Sequence, residues 1–259
     1  MRPTAPRPTR LLLHLRHLVG ARRSAGADAR LAVLLAAVAG AANAGGFIAL
    51  GEYASHMTGY LSQAADGVAL GRGAMIWTAV RAVLAFTCGA ALAPVLIGWA
   101  RARRPRALYA APLAVQGGLL LGLAALGLLG PDWDAAEVTL LCFVMGLQNA
   151  TITRISGAVI RTTHATGMVT DLGIELGCAL GQVLPFVEVR RPDWGKVRLF
   201  GAVLAAFVAG GIVGGLGYGA VGTSFSAPLG ALLLAIAVPR LAAGRRRAAD
   251  AGGITPPER

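Results

Sequence analysis

Charge is scarce in this chain, and acidic charge most of all. Charged residues make up 14% of the 259, with 12 Asp or Glu against 24 Lys or Arg. A soluble domain of this length needs far more polar surface. Aromatic residues are only 6%, so the net charge of +12 lacks the interleaved base-stacking rings of a nucleic-acid binder. Cys88, Cys142 and Cys178 stand singly in apolar segments, with no CxxC and no metal-ligand spacing. HExxH, GxSxG and P-loop patterns are missing, so no enzyme, no cofactor and no metal are expected. No cleavable signal is evident. The stretch 11–20 is too short to span a bilayer and reads as an interfacial helix.

What the chain does have is apolar length. Hydrophobic residues reach 56% and mean hydropathy is +0.64. Six apolar blocks, 31–50, 74–100, 107–129, 137–153, 197–219 and 223–240, match or approach the length needed to cross about 30 Å of hydrocarbon. The fourth looks short. Two further segments, 55–72 and 163–187, are apolar but broken by glycines and polar groups.

Charge placement decides whether those two cross. With the basic N-terminus inside, six spans and two non-crossing segments put "RARRPR" 101–106, Arg154, Arg161, Arg190–Arg191, Lys196, Arg198 and "GRRR" 244–247 on the inner side, and acidic 131–137 outside. Letting only one of the two cross moves a basic cluster outside, against the positive-inside rule. The basic excess thus reads as a topology signal and an attraction to anionic headgroups, not as a nucleic-acid surface. The expected organisation is a basic cytoplasmic segment 1–30, a membrane domain 31–240, and a disordered basic cytoplasmic tail 241–259.

The membrane domain repeats itself. "GAANA" 40–44, "SHMTG" 55–59 and Trp77-x3-Arg81 are followed in the same order by "GLQNA" 146–150, "THATG" 163–167 and Trp194-x3-Arg198. The first unit, about 31–129, starts with an outward span and the second, about 137–240, with an inward one. The expected fold is an all-α integral membrane protein: six transmembrane helices in an inverted 3+3 repeat, with a re-entrant or half-helix segment starting at each HxTG motif. Arg81 and Arg198 would then snorkel to opposite surfaces. Glycine, with 36 copies, would let helices approach closely in lipid.

"GFIALGEYASHMTGYLSQ" and "GLQNATITRISGAVIRTTHATGMVTDLGIELG", with the six-span layout, resemble the YoaK family of bacterial membrane proteins of unknown function, over about residues 31–240. The resemblance implies a bacterial inner-membrane location and supplies no activity or substrate. Tyr60 departs from it, where asparagine often follows the first HMTG.

A non-crossing segment must hide its backbone in protein or in a watery cavity. A half-helix does so, and its N-terminus carries free N–H groups suited to an anion or a dipole. The candidate pathway residues are His56, Thr58, Gly59 and Gln63 in the first copy, His164, Thr166, Gly167, Asp171 and Glu175 in the second, and the amides Asn43 and Asn149. Thr163 or Thr166 would cap the second half-helix. His164, Met168, Asp171 and Glu175 share a stripe, as do His56, Tyr60, Gln63 and Gly67. Asp171 and Glu175 in apolar surroundings suggest a cavity or proton-relay role. The expected function is small-solute transport or conduction through a site framed by the two HxTG segments. The alternative is a scaffold, chaperone or sensor of the envelope, in which the same residues make interhelical hydrogen bonds. An intramembrane enzyme would need His56, His164, Asp171 and Glu175 around a metal. The solute is unspecified and a homo-oligomer stays open.

Overall fold

The computed structural model describes residues 25–103, 107–155, 162–184 and 186–252. They are helical, with no strand among them: α1 Ala25–Leu50, α2 Met57–Ala69, α3 Gly73–Arg103, α4 Ala110–Leu126, α5 Asp134–Ile155, α6 Ala165–Gly181, α7 Trp194–Val221 and α8 Ser226–Gly252. Four stretches are long and apolar enough to cross a membrane: Gly26–Leu50, Gly73–Arg103, Asp134–Ile155 and Trp194–Ala242. The last contains α7, a tight 3-10 turn at Gly222–Phe225 and much of α8. Gly222, at φ 60, breaks the helix there. This is a membrane-type helical protein.

Helix lengths depart from the apolar blocks in two places. The fourth block is not short: α5 starts at Asp134, because Asp134 and Glu137 complement the positive end of its dipole. The short helix is α4, with 17 residues, ended where Gly127 and Gly130 precede Pro131. A third difference lies at the C-terminus. Helix α8 runs to Gly252 and takes in part of the expected disordered tail. Its "LAAGRRRAADAG" is rich in alanine and arginine, both strong helix formers. The expected interfacial helix at 11–20 lies outside the described residues, as does Arg161.

Helix α1 packs along α7, α3 along α5 and α4 along α8, while α5 also touches α1 and α4. Most of α1 and α5 is buried, and most of α3, α7 and α8 faces outward. Outward faces carry Leu84, Val95, Val208, Ile212 and Leu216, all exposed, as a lipid-facing surface requires. All four tryptophans, Trp77, Trp99, Trp133 and Trp194, are exposed and lie near helix ends, where amphipathic rings favour the headgroup level.

The two long pairs meet through glycine. Gly40 of α1 lies against the Phe207 carbonyl of α7, and Gly210 of α7 against the Ala37 carbonyl of α1. Likewise Gly146 of α5 lies against the Phe86 carbonyl of α3, and Gly89 of α3 against the Phe143 carbonyl of α5. A Cβ at any of the four would overlap backbone. The step from Gly40 to Gly146 equals that from Ala37 to Phe143, and the step from Phe86 to Phe207 equals that from Gly89 to Gly210. One contact pattern is therefore made twice. The same register pairs Gly73 with Trp194 as first residues of α3 and α7, and sets Trp77 level with Arg198. The Trp-x3-Arg motifs are thus displaced by one helical turn from structural equivalence, so that part of the sequence repeat does not mark matching positions.

Candidate functional site

The site grows from the ends of α1 and α5. After α1, Gly51 adopts φ 75 and the chain doubles back. The Ser55 N–H and hydroxyl both donate to Asn43 Oδ1, at 3.0 and 2.8 Å. Asn43 lies about two turns before the end of α1, so the segment re-enters beside the helix it has just left. The second copy repeats this. The Thr163 N–H donates to Asn149 Oδ1 at 3.3 Å, and Asn149 Nδ2 donates to Thr163 Oγ1 at 2.7 Å. The asparagine of each G-x-x-N-A motif is the tether that brings its HxTG motif inward.

Both histidines then occupy the N-cap position with matching backbones, φ −91 and ψ 64 at His56, φ −84 and ψ 56 at His164. Neither side chain makes a cap hydrogen bond. The expected threonine cap is not formed either, because Thr163 is spent on Asn149. Each imidazole instead folds over the glycine three residues on. A Cβ on Gly59 would come 2.6 Å from His56 Nδ1, and one on Gly167 would overlap the His164 ring. That explains the final glycine of H-x-T-G: the ring needs the space.

The two motifs share one cavity of about 930 Å³. His56, Thr58, His164 and Thr166 line it, with Asn43 and Asn149 between them. Phe86 and Phe207, equivalent in the register of the glycine contacts, both line it. Thr153 and Arg154, from the last turns of α5, also line it. Arg154, read from the sequence as a surface charge or lipid contact, is exposed and also borders the cavity, whereas Thr153, Tyr53 and the two phenylalanines were not singled out from the sequence. The register of α3 against α7 would have revealed the phenylalanines, but the displaced Trp-x3-Arg motifs pointed elsewhere.

Other candidates fall outside the cavity. Gly59 and Gly167 back the histidines and do not line it, and Gln63 does not reach it. The stripes through Tyr60 and Gly67, and through Met168 and Glu175, are the buried faces of α2 and α6. Glu175 is buried there, but in an ion pair. Arg190 donates from Nη1 and Nη2 to its two oxygens, at 2.8 and 2.6 Å, and the Asp193 N–H adds a third bond at 2.9 Å. Lys196 lies 3.3 Å from Asp171 and 3.9 Å from Glu175. The Arg190 hydrogen bonds, followed by the Asp193 amide, hold the Glu175 carboxyl down to about 2. A carboxylate so held is a clamp between α6 and the approach to α7. It is poorly suited to a proton relay, because it gives up charge only in strong acid. At the corresponding place in α2 stands Gly67, close against Ile76. There the turn into α3 is tight and needs no clamp.

A buried amide pair was also missed. Gln116 of α4 donates to Gln148 of α5, and Gln148 Nε2 donates to the Leu35 carbonyl at 2.6 Å. Gln148 belongs to "GLQNA" and joins three helices beside the asparagine tether. Among the described residues, no three of His, Cys, Asp and Glu group as metal ligands.

The model of a family described as a protein of unknown function (DUF1275) matches residues 31–239. The chain belongs to the DUF1275 family. The YoaK proteins that the sequence resembles fall within that family. No curated protein and no solved structure matches the chain. The matched span of this DUF1275 protein begins just inside α1 and ends in α8, so it takes in both HxTG motifs and every residue of the cavity.

Proposed function

We propose that the chain is a small-solute transporter or channel of the bacterial inner membrane, without chemistry on the solute. Six spans, α1, α3, α4, α5, α7 and α8, would form two inverted three-helix units, with both termini in the cytoplasm and α2 and α6 as half-helices entering from opposite faces. One observation carries this reading. The two HxTG segments, over a hundred residues apart, are tethered alike and meet at one cavity.

The two sides of that cavity differ in a way that suits alternating access. On the Arg154 side the walls continue through Ala150, Thr153, Ala90 and Pro94. In the register of the glycine contacts their counterparts are Ala44, Phe47, Gly211 and Gly215, with Ile48 opposite Arg154. Those residues line a separate, apolar cavity of about 430 Å³. Tyr53 borders both cavities and stacks on Phe47, with ring centroids 4.5 Å apart and planes within 5°. We read the stack as the closed outer gate and the Arg154 side as the open inner mouth.

Reconstitution into proteoliposomes tests the reading. Solute flux should be present in the wild type and lost when His56→Ala and His164→Ala are combined. Flux that survives the double substitution removes the motifs from the pathway. No flux, together with no aqueous access to the cavity, would favour an envelope scaffold or sensor.

A further inference from the structure

We propose that the solute this cavity takes is a small anion, a carboxylate or phosphate-type group, and that Arg154 is its charged contact; the inference rests on the transport reading of the same cavity.

Arg154, exposed at the edge of the cavity it lines, has no ion pair or hydrogen bond to another described residue. Among the described residues no Asp or Glu lines the cavity. The acidic residues nearest in sequence to the second motif, Asp171 and Glu175, are turned away and matched with Lys196 and Arg190. With those carboxylates paired outside the cavity, Arg154 is the one Lys or Arg among its described lining residues and has no acidic counterpart there.

Beside hydroxyls and imidazoles, which both donate and accept, the walls hold groups that can only donate. Asn43 uses Oδ1 on Ser55, which leaves its Nδ2 free among the described residues. Asn149 offers no such donor, because its Nδ2 donates to the Met145 carbonyl and to Thr163 Oγ1 while its Oδ1 accepts from the Thr163 N–H. Met57 and Thr58 form the first turn of α2, and Ala165 and Thr166 that of α6, and all four line the cavity. Because neither N-cap side chain closes those turns, the backbone N–H groups there have no capping oxygen. One unpaired guanidinium at the cavity, two uncapped helix N-termini and no competing carboxylate among the described lining residues favour an anion over a cation, and the charge attraction is absent for a neutral solute.

The test uses the full-length protein, free of native cysteines and carrying Thr166→Cys, in detergent without added lipid. The rate of maleimide labelling at residue 166 is followed during titration with chloride, acetate and phosphate, and with glycerol and urea as uncharged probes. The expected result is saturable protection by at least one anion and none by the uncharged probes. Arg154→Gln should weaken that protection about tenfold or more, and Arg154→Lys should retain most of it. Thr153→Asp, which adds a carboxylate to the same wall, should abolish it and serves if Arg154→Gln fails to fold. Protection by glycerol or urea, equal anion protection in Arg154→Gln or Thr153→Asp, or protection only by added phosphatidylglycerol would overturn the inference. Unprotected but rapid labelling would overturn the anion while leaving the aqueous pathway intact.

Discussion

Gly59 and Gly167 answer the question raised by two histidines in matching contexts. Each histidine is an N-cap whose ring lies over a glycine, so the motif is a packing unit as well as a set of polar groups. Gly167→Ala should therefore displace the His164 ring and cost about 1–3 kcal/mol of stability, as overpacking does. Unfolding in mixed detergent checks this; an unchanged midpoint would contradict the stacked ring. The second residue-scale prediction concerns Glu175, whose carboxyl falls from an ordinary 4.5 to about 2 in the folded chain. A depressed carboxylate contributes stability that is fully present above the unfolded value and is lost as pH falls toward the folded one. Wild-type thermal stability should thus fall between about pH 4.5 and 2, and Glu175→Gln should lose part of that dependence. The histidines, asparagines and their spacing were legible in the sequence. The ion pair of Glu175 and the place of Arg154 beside the cavity were not, because each depends on what a distant segment brings beside it.

Helix pairs carry the next set of expectations. Gly40, Gly89, Gly146 and Gly210 each meet a carbonyl of the partner helix, while Gly98, Gly118 and Gly122 have open space around them. Leucine at any of the first four should separate the pair and sharply lower thermal stability. Alanine at the second set should be neutral or slightly stabilising, since alanine favours helix. Equal effects at both sets would contradict the close-approach account. At the end proposed to face outward, Phe47→Ala with Tyr53→Ala should open the stack and let an impermeant thiol reagent reach Thr58→Cys from outside. Continued protection would place the gate elsewhere. Helix existence followed from apolar length, but helix ends did not. Acidic residues extended α5, paired glycines shortened α4, and one turn of displacement made the Trp-x3-Arg motifs a misleading ruler.

At the scale of the molecule, all-helical membrane architecture was readable from composition and block length, and the repeat from two short motifs. The cavity was not readable, because its walls come from α1, α3, α5, α7 and the two short helices, and only packing decides which faces converge. The account stands or falls on whether water reaches that convergence. The direct measurement is labelling of Thr58→Cys and Thr166→Cys, in protein lacking Cys88, Cys142 and Cys178, by a membrane-impermeant thiol reagent on right-side-out and inside-out vesicles. The account predicts that both sites react from the cytoplasmic face and resist from the outer face. Resistance from both faces would contradict it, leaving two buried motifs that hold helices together and no pathway between them.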